Sequence, residues 1–333
     1  VDANLLDNRL GVRFNYFRSA TDHLLMWQEM SFLSGLDKTW GNGGKLENRG
    51  FDVEATGVVW ASPSWQWQVG ASVGHYKNEV TALPDGQQYM DTEILGATVR
   101  TEIGRPANLF YGYKTKGVFA TSAEAQAAGL YVRDANGVDQ TAFEAGDVHF
   151  VDLDGDHFVT EADRTVIGDP NPDIYGNIFT TVQYRRFRLD VRFNYSLGND
   201  IYNYMRQQLE SGSRFMNQTT ALARRWQVEG QQTDIPRLSF QDPMGNSRFS
   251  DRWIEDGSYL RLKTVTLSYD LPISSTFLQG LQFWVQANNV FTLSRYLGTD
   301  PEGAALSAVL GQGIDAGSVP QSRNFMVGIK ISL

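Results

Sequence analysis

Cysteine is absent from the 333 residues, which excludes a disulfide framework, a thiolate zinc site and a cysteine nucleophile. No run of about 18 apolar residues occurs, so no transmembrane helix is encoded. A spanning β-strand is not excluded by that, because it needs only about 9–11 residues with an apolar side chain at every second one. A basic surplus is also lacking: the net charge of −9 argues against a general nucleic-acid partner. Proline is sparse (10) beside 32 glycines, a composition that suits many strands joined by turns. The chain opens Val1-Asp2-Ala3-Asn4, with no initiator methionine, basic n-region or apolar h-region. No catalytic constellation is assembled either. His23, His75, His149 and His157 show no metal-ligand spacing, and no glycine-rich phosphate loop precedes a helix. Asp52 and Glu54 share one strand face. A glycosidase pair flanks a cleft, so these two fit a polar wall better, and an enzyme is not expected.

What the chain does have is strict alternation. Phe325, Val327, Ile329, Ile331 and Leu333 alternate with Asn324, Met326, Gly328, Lys330 and Ser332. Leu189, Val191, Phe193, Tyr195 and Leu197 alternate with Arg188, Asp190, Arg192, Asn194 and Ser196. Trp65, Trp67, Val69, Ala71 and Val73 alternate with Gln66, Gln68, Gly70, Ser72 and Gly74. Successive strand side chains point to opposite faces, so each segment has one apolar and one polar face. Strands are expected near 8–28, 46–60, 65–79, 172–184, 186–197, 258–270, 281–292 and 321–333. The polar faces would carry Arg9, Arg13, Asp52, Glu54, Arg188, Asp190, Arg192, Asn194, Gln286 and Asn288.

Between these strands, short and long connections alternate. Segments 61–64, 185 and 271–280 are short, while 29–45, 80–171, 198–257 and 293–320 are long. In an up-and-down barrel every long loop then falls on one rim, which is the outer-membrane layout. The expected fold is all-β, an antiparallel transmembrane β-barrel segment of about eight strands with long extracellular loops. Trp60, Trp65, Trp67, Tyr184, Phe187, Tyr195, Tyr259, Tyr269 and Phe291 stand near strand ends, where interfacial girdles need amphipathic rings. The alternative is a soluble, carbohydrate-binding β-sandwich that buries its apolar faces against each other.

One motif carries metal chemistry. Asp152, Asp154, Asp156 and Asp163 fall at positions 1, 3, 5 and 12 of a loop, with the Phe158 carbonyl at 7 and the Thr160 hydroxyl at 9. A twelve-residue loop wraps calcium in oxygens with this spacing. His157 stands where such loops place glycine, and Asp163 replaces the longer glutamate. The expectation is a structural calcium site, set against an acidic surface turn.

Several stretches, in order along nearly the whole chain, resemble the C-terminal part of the SusC/RagA family of TonB-dependent outer-membrane transporters. They are Gly44 to Gly50, the Leu83–Gly86 region, Ile167-Gly168-Asp169-Pro170-Asn171-Pro172, Gly198-Asn199-Asp200-Ile201-Tyr202-Asn203, Arg248 to Lys263, Leu267 to Pro272, Gln286 to Tyr296, and Gly298 to Glu302. The resemblance implies that residues 1–333 are part of a larger barrel of about 22 strands, with no plug domain in this chain. It implies uptake of large nutrients, glycans or peptides, across the bacterial cell outer membrane. A SusD-like surface lipoprotein would cap the long-loop rim, TonB would act through an N-terminal region not contained here, and outer-membrane lipid would meet the apolar faces. A barrel with a structural role in a surface assembly, without transport, is the second reading. On either reading the chain is expected to continue upstream of Val1.

Overall fold

The computed structural model describes residues 1–36, 38–133, 137, 140–273, 277–303 and 311–332. Its main element is one antiparallel sheet, in which every strand pairs with its neighbour in the chain. The strands are β1 (Asp2–Leu5), β2 (Leu10–Glu29), β3 (Lys38–Ser62), β4 (Trp65–Ala82), β5 (Ile174–Tyr184), β6 (Phe187–Leu197), β7 (Tyr259–Leu271), β8 (Gly280–Ser294) and β9 (Asn324–Ser332). Eight of them are those expected. The ninth, β1, is four residues that pair with the start of β2 across a turn held by Leu6, Asp7 and Asn8 at positive φ. It is too short to show an alternation, so the sequence does not announce it. Leu333 lies outside the described residues.

Register turns the alternation into continuous stripes. One apolar row runs Val12, Ala55, Ala71, Ile178, Phe193, Leu262, Phe291, each opposite the next. On the other face, one step along the strands, runs Arg13, Glu54, Ser72, Asn177, Asn194, Arg261, Thr292. Towards the turns an aromatic row closes the apolar face: Trp65, Tyr184, Phe187, Tyr269 and Phe283, with ring centroids 5.4 Å apart for Trp65–Tyr184 and 4.6 Å for Phe187–Tyr269. Tyr259 departs from the expected girdle. It pairs with Ser196 and so sits on the polar face. The reason is a bulge in β7, where Leu262 faces Phe193 but Thr264 faces Arg192, so the alternation changes phase at Lys263.

The tall hairpin also differs from expectation. β2 and β3 run 20 and 25 residues, roughly 65–80 Å at 3.3 Å per residue, far beyond an apolar band about 25 Å tall. The expected loop 29–45 therefore shrinks to residues 30–37. The other long connections, 83–173, 198–258 and 295–323, leave from the same rim as this one, opposite the turns 6–9, 63–64, 185–186 and 272–279.

The buried core lies in those loops. One cluster joins Tyr113, Phe119, Leu130, Phe143, Val148, Phe150, Val159 and Met244. A second joins Phe110, Tyr202, Phe249, Trp253 and Ile314, drawn from all three long loops. Strands 89–94, 97–102, 109–113 and 164–168 make a small sheet there, and helices Ser122–Ala128 and Tyr204–Glu210 lie in the same loops. Residues 115–118 form a further strand, paired with 148–150. The wall contributes almost nothing to these clusters. Its apolar side chains, among them Ile178, Phe283, Val285 and Val327, are exposed. No second layer covers them among the described residues, so the sandwich alternative fails: a soluble sheet buries its apolar face against another layer.

An exposed apolar stripe of this height is a lipid-facing stripe. In equilibrium unfolding of the intact barrel in lipid vesicles, Val191→Arg, near the middle of β6, should cost about 2–4 kcal/mol, and Phe187→Arg, in the aromatic row, about 0–1 kcal/mol. Equal costs at the two heights would contradict the assignment of the lipid face.

Candidate functional site

The polar face of the wall is the first candidate. A groove of about 560 Å³ runs along it, lined by Arg13, Asp52, Glu54, Tyr175, Asn177 and Asn194 among others. Arg13 reaches Glu54 at 3.4 Å and Asp2 at 3.0 Å. Gly74 is small where Tyr175 lies against it, with the ring 2.8 Å from the position a Cβ would take. A side chain there would push the tyrosine out of the groove. Farther towards the turns, Arg188 holds Asp190 at 2.8 Å, and Thr181 donates to the same carboxylate at 2.7 Å. Gln286 donates to Asn288 at 2.9 Å, and Asn288 to Asn324 at 2.7 Å. Arg192 shares this face opposite Thr264. Nine of the ten expected lining residues thus fall on one face. Arg9 does not lie in the wall: it ends the turn before β2, where its carbonyl accepts from the Val58 N–H at 2.7 Å. The αL residues 6–8 take up the chain reversal just where alternation predicted more strand.

The loops fold over this same polar face, and the stretches that carry the family resemblance are what fasten them. Arg261 and Lys263 of β7 meet the segment Gly298 to Glu302. Arg261 pairs with Asp300 and, at 2.7 Å, with Glu302, while Lys263 reaches Glu302 at 3.3 Å. Asp300 is 7% exposed and also accepts from the backbone N–H groups of Glu302 and Gln321. Glu255 holds Arg206 at 2.7 Å and accepts from the Leu297 N–H. Tyr296 donates to Asp315 at 2.6 Å. Asp200 accepts from the Asp169 N–H at 2.8 Å, and Asn171 accepts from Asn78 of β4 at 3.2 Å. The ion-pair role of Arg261 and Lys263 was not foreseen. A signal existed: the apolar positions of β7 step by two to Leu262 and then by three to Val265, which marks the bulge that aims both cations inwards.

The acidic turn is only partly as expected. Asp152, Asp154 and Asp156 bring carboxylate oxygens within 4.8 Å of one another. The backbone takes the sharp turn at position 6 with His157 at φ 66°, a conformation for which glycine is the usual residue. Thr160 caps the short helical turn that follows. Phe158 donates its N–H to Asp156, and its ring lies under the guanidinium of Arg133. Asp163 stands outside the cluster. It is fully buried, and its two oxygens accept from the N–H groups of Leu153 (2.7 Å) and Thr160 (2.8 Å). Its side chain serves the capping box of the turn that Thr160 begins. The three clustered oxygens are hard donors that suit calcium, but the fourth carboxylate does not converge with them.

A wall with one lipid face, one polar face and all its long loops on a single rim is a segment of an outer-membrane β-barrel. No family model matches the chain. In sequence it is similar over 99% of its length to TonB-dependent receptor P3 of Formosa agariphila, at 30% identity, and over its whole length to TonB-dependent receptor P26 of the same organism, at 27%. In fold it is similar to the structure of the RagAB peptide transporter, with a TM-score of 0.79 and 25% identity over 99% of the chain. It also resembles the "closed-closed" state of the RagAB peptide importer, with a TM-score of 0.76. In sequence and fold together it is similar to a barrel portion of TonB-dependent receptors of the SusC/RagA type. The chain spans about a third of the length of these proteins (33% and 34% of the two receptors, 34% of the RagAB chain). The matched proteins are receptors and transporters, not enzymes.

Removing Arg261 would leave Asp300 buried without its cation. Arg261→Ala should destabilise the loop layer by about 3–5 kcal/mol, read as faster amide hydrogen exchange at Glu302 and Gln321 while β5 and β6 stay protected. Burial pushes the Asp300 carboxyl up, but Arg261 and the two backbone donors more than offset this and hold it below its ordinary value. A depressed carboxyl stabilises the fold above its unfolded pKa of about 4. Exchange in the same segment should therefore also rise as the pH falls below about 4. Unchanged exchange in both experiments would show that this ion pair does not hold the loops.

Proposed function

We propose that this chain forms part of the wall and the extracellular face of a receptor that imports large nutrients, glycans or peptides, across the outer membrane by TonB-dependent transport. The observation that carries the reading is the pairing of a continuous polar face with a folded loop layer on one rim only. The polar rows give a large hydrated cargo hydrogen-bonding partners along the passage, while the apolar rows keep the wall in lipid. The RagAB structures, described as a peptide transporter and importer, support peptides as one cargo class. Their two-component name supports a SusD-like lipoprotein over the loop rim. TonB would act on a region outside these residues. β1 and β9 are the two edges of the sheet and do not pair with each other among the described residues. Unpaired edges are costly in hydrocarbon, so strands from outside this chain would complete a wall of about 22 strands.

Cysteine labelling tests the passage directly, because the chain has no cysteine of its own. In the whole receptor, Asn177→Cys should react with a polar, membrane-impermeant maleimide, and a bulky adduct there should slow uptake of labelled oligosaccharides or peptides. Ile178→Cys, on the opposite face, should be protected by lipid. Equal reactivity at both positions would refute the lumen assignment. Uptake that persists in cells lacking TonB would refute the TonB-dependent mechanism, and uptake unchanged in cells lacking the receptor would favour a barrel with a structural role.

For the acidic turn we propose calcium as a structural ion, held by Asp152, Asp154 and Asp156 with the Phe158 carbonyl. The supporting observations are the clustered carboxylates and the turn that His157 adopts. Such a site would bind with a dissociation constant of roughly 10⁻⁴–10⁻³ M, enough to fill outside a cell. Added calcium should slow proteolysis of the 130–163 segment, and Asp154→Asn should abolish that protection. Protection that is absent in the unaltered protein, or that survives the substitution, would reduce the turn to an acidic surface loop.

A further inference from the structure

The lower outward rows of the tall hairpin are apolar, but one row is not. From the turns upwards, β2, β3 and β4 present Val12, Ala55 and Ala71, then Phe14, Val53 and Val73, then Tyr16, Phe51 and His75. The next row on the same face is Arg18, Arg49 and Lys77, each directly opposite the next. No register shift falls between Leu10 and Thr21 on β2, or between Leu46 and Val58 on β3, so the phase carries over from the lipid-facing rows. The intervening positions confirm it: Tyr76 and Asn78 bond to loop residue Asn171 on the polar side, which leaves Lys77 pointing outwards. All three cations are exposed.

Like charges directly opposite on neighbouring strands repel, so this row calls for compensation. The protein supplies it unevenly. Arg18 is held by Glu47 at 2.8 Å, in the row above. Arg49 reaches Glu79 only at 4.0 Å. Lys77 has no ion-pair partner among the described residues. The height of the row matters as much as its charge. On β4 the apolar face extends from Trp65, in the turn-side aromatic row, to His75, eleven positions, the length a tilted strand needs to cross the hydrocarbon. Lys77 is the next outward residue. The cations therefore stand at headgroup level, on the rim that carries the loops.

We propose that Arg18, Arg49 and Lys77 form a binding surface for the phosphate of an anionic lipid headgroup in the outer leaflet, one phosphorylated glycolipid lying against β2–β4. Its acyl chains would pack on the Phe14–Val53–Val73 and Tyr16–Phe51–His75 rows, and its phosphate would meet Arg49 and Lys77, with Arg18 at the margin. Guanidinium groups favour phosphate because their donors match its oxygens in pairs. The proposal rests on the lipid-facing assignment of these rows.

The test uses the whole receptor, purified from membranes and placed in nanodiscs that contain phosphorylated lipid A. Retained lipid A is measured by mass spectrometry for the unaltered protein and for the triple variant Arg18→Gln, Arg49→Gln, Lys77→Gln. Loss of three cations near a lipid surface should reduce retention by about tenfold or more. Dephosphorylated lipid A should bind the unaltered protein as weakly as lipid A binds the variant, inorganic phosphate should not displace the lipid, and Arg49→Lys should keep most of the retention. Heat-modifiable electrophoretic mobility confirms that the variant is folded. Retention that is unchanged in a folded triple variant, or independent of the phosphate, overturns the proposal. If the variant does not fold, neutralising Lys77 alone, the exposed cation without an ion pair, gives the same reading at lower amplitude. Failure of the membrane reading itself is distinguishable: then neither protein associates with the nanodiscs at all.

Discussion

Hydrocarbon offers no partner to a backbone amide, so each N–H and C=O of a membrane-spanning segment must be paired within the protein. The nine-stranded sheet meets that demand by an unbroken antiparallel ladder from β1 to β9, and the rest of the molecule follows from it. Because pairing fixes the register, the apolar residues of separate strands line up into rows, and so do the polar ones. Where a glycine bares the backbone, a neighbour covers it. Gly176 has no side chain over the Ser72 carbonyl, and the Tyr195 hydroxyl donates to that oxygen at 2.9 Å. The phenol thus buries its own polar group on the lipid side of the wall.

The wall cannot have a core, since its apolar face belongs to lipid and its polar face to water. The loops supply the packed interior instead. Phe110, Tyr202, Phe249, Trp253 and Ile314 come from three connections far apart in sequence, yet they form one cluster, in which Phe110, Tyr202 and Phe249 meet edge to face. Such a layer can hold its shape only if it is tied to the strands beneath. The buried pair of Arg261 and Asp300 does this, and the pair of Glu255 and Arg206 braces the loop layer within itself, with charges that have little water around them. A buried ion pair is costly to assemble, but it binds one geometry and so holds the loop layer in a fixed shape.

This arrangement separates two kinds of residue. The stretch Arg248 to Lys263, which carries much of the family resemblance, holds the loops onto the wall through Arg261 and Lys263. The groove is lined instead by Asp52, Glu54, Asn177 and Asn194, which lie outside the stretches of family resemblance.

The sequence by itself determined the strands of the wall, the two faces of each, and the single rim for the long loops. Those features depend on period-two alternation and on connection length, which are local and survive without coordinates. It also held the order of the fastening motifs, though not their purpose. Only the tertiary structure decided which charges meet: Arg261 and Asp300 are 39 positions apart, and no local pattern encodes that distance. It likewise withdrew Asp163 from the acidic cluster, because two backbone N–H groups reach it first, and it lifted β2 and β3 well above the membrane, because a strand continues for as long as its neighbour supplies hydrogen bonds. Alternation reads what a strand offers to either side; pairing, bulges and loop packing settle what it meets there.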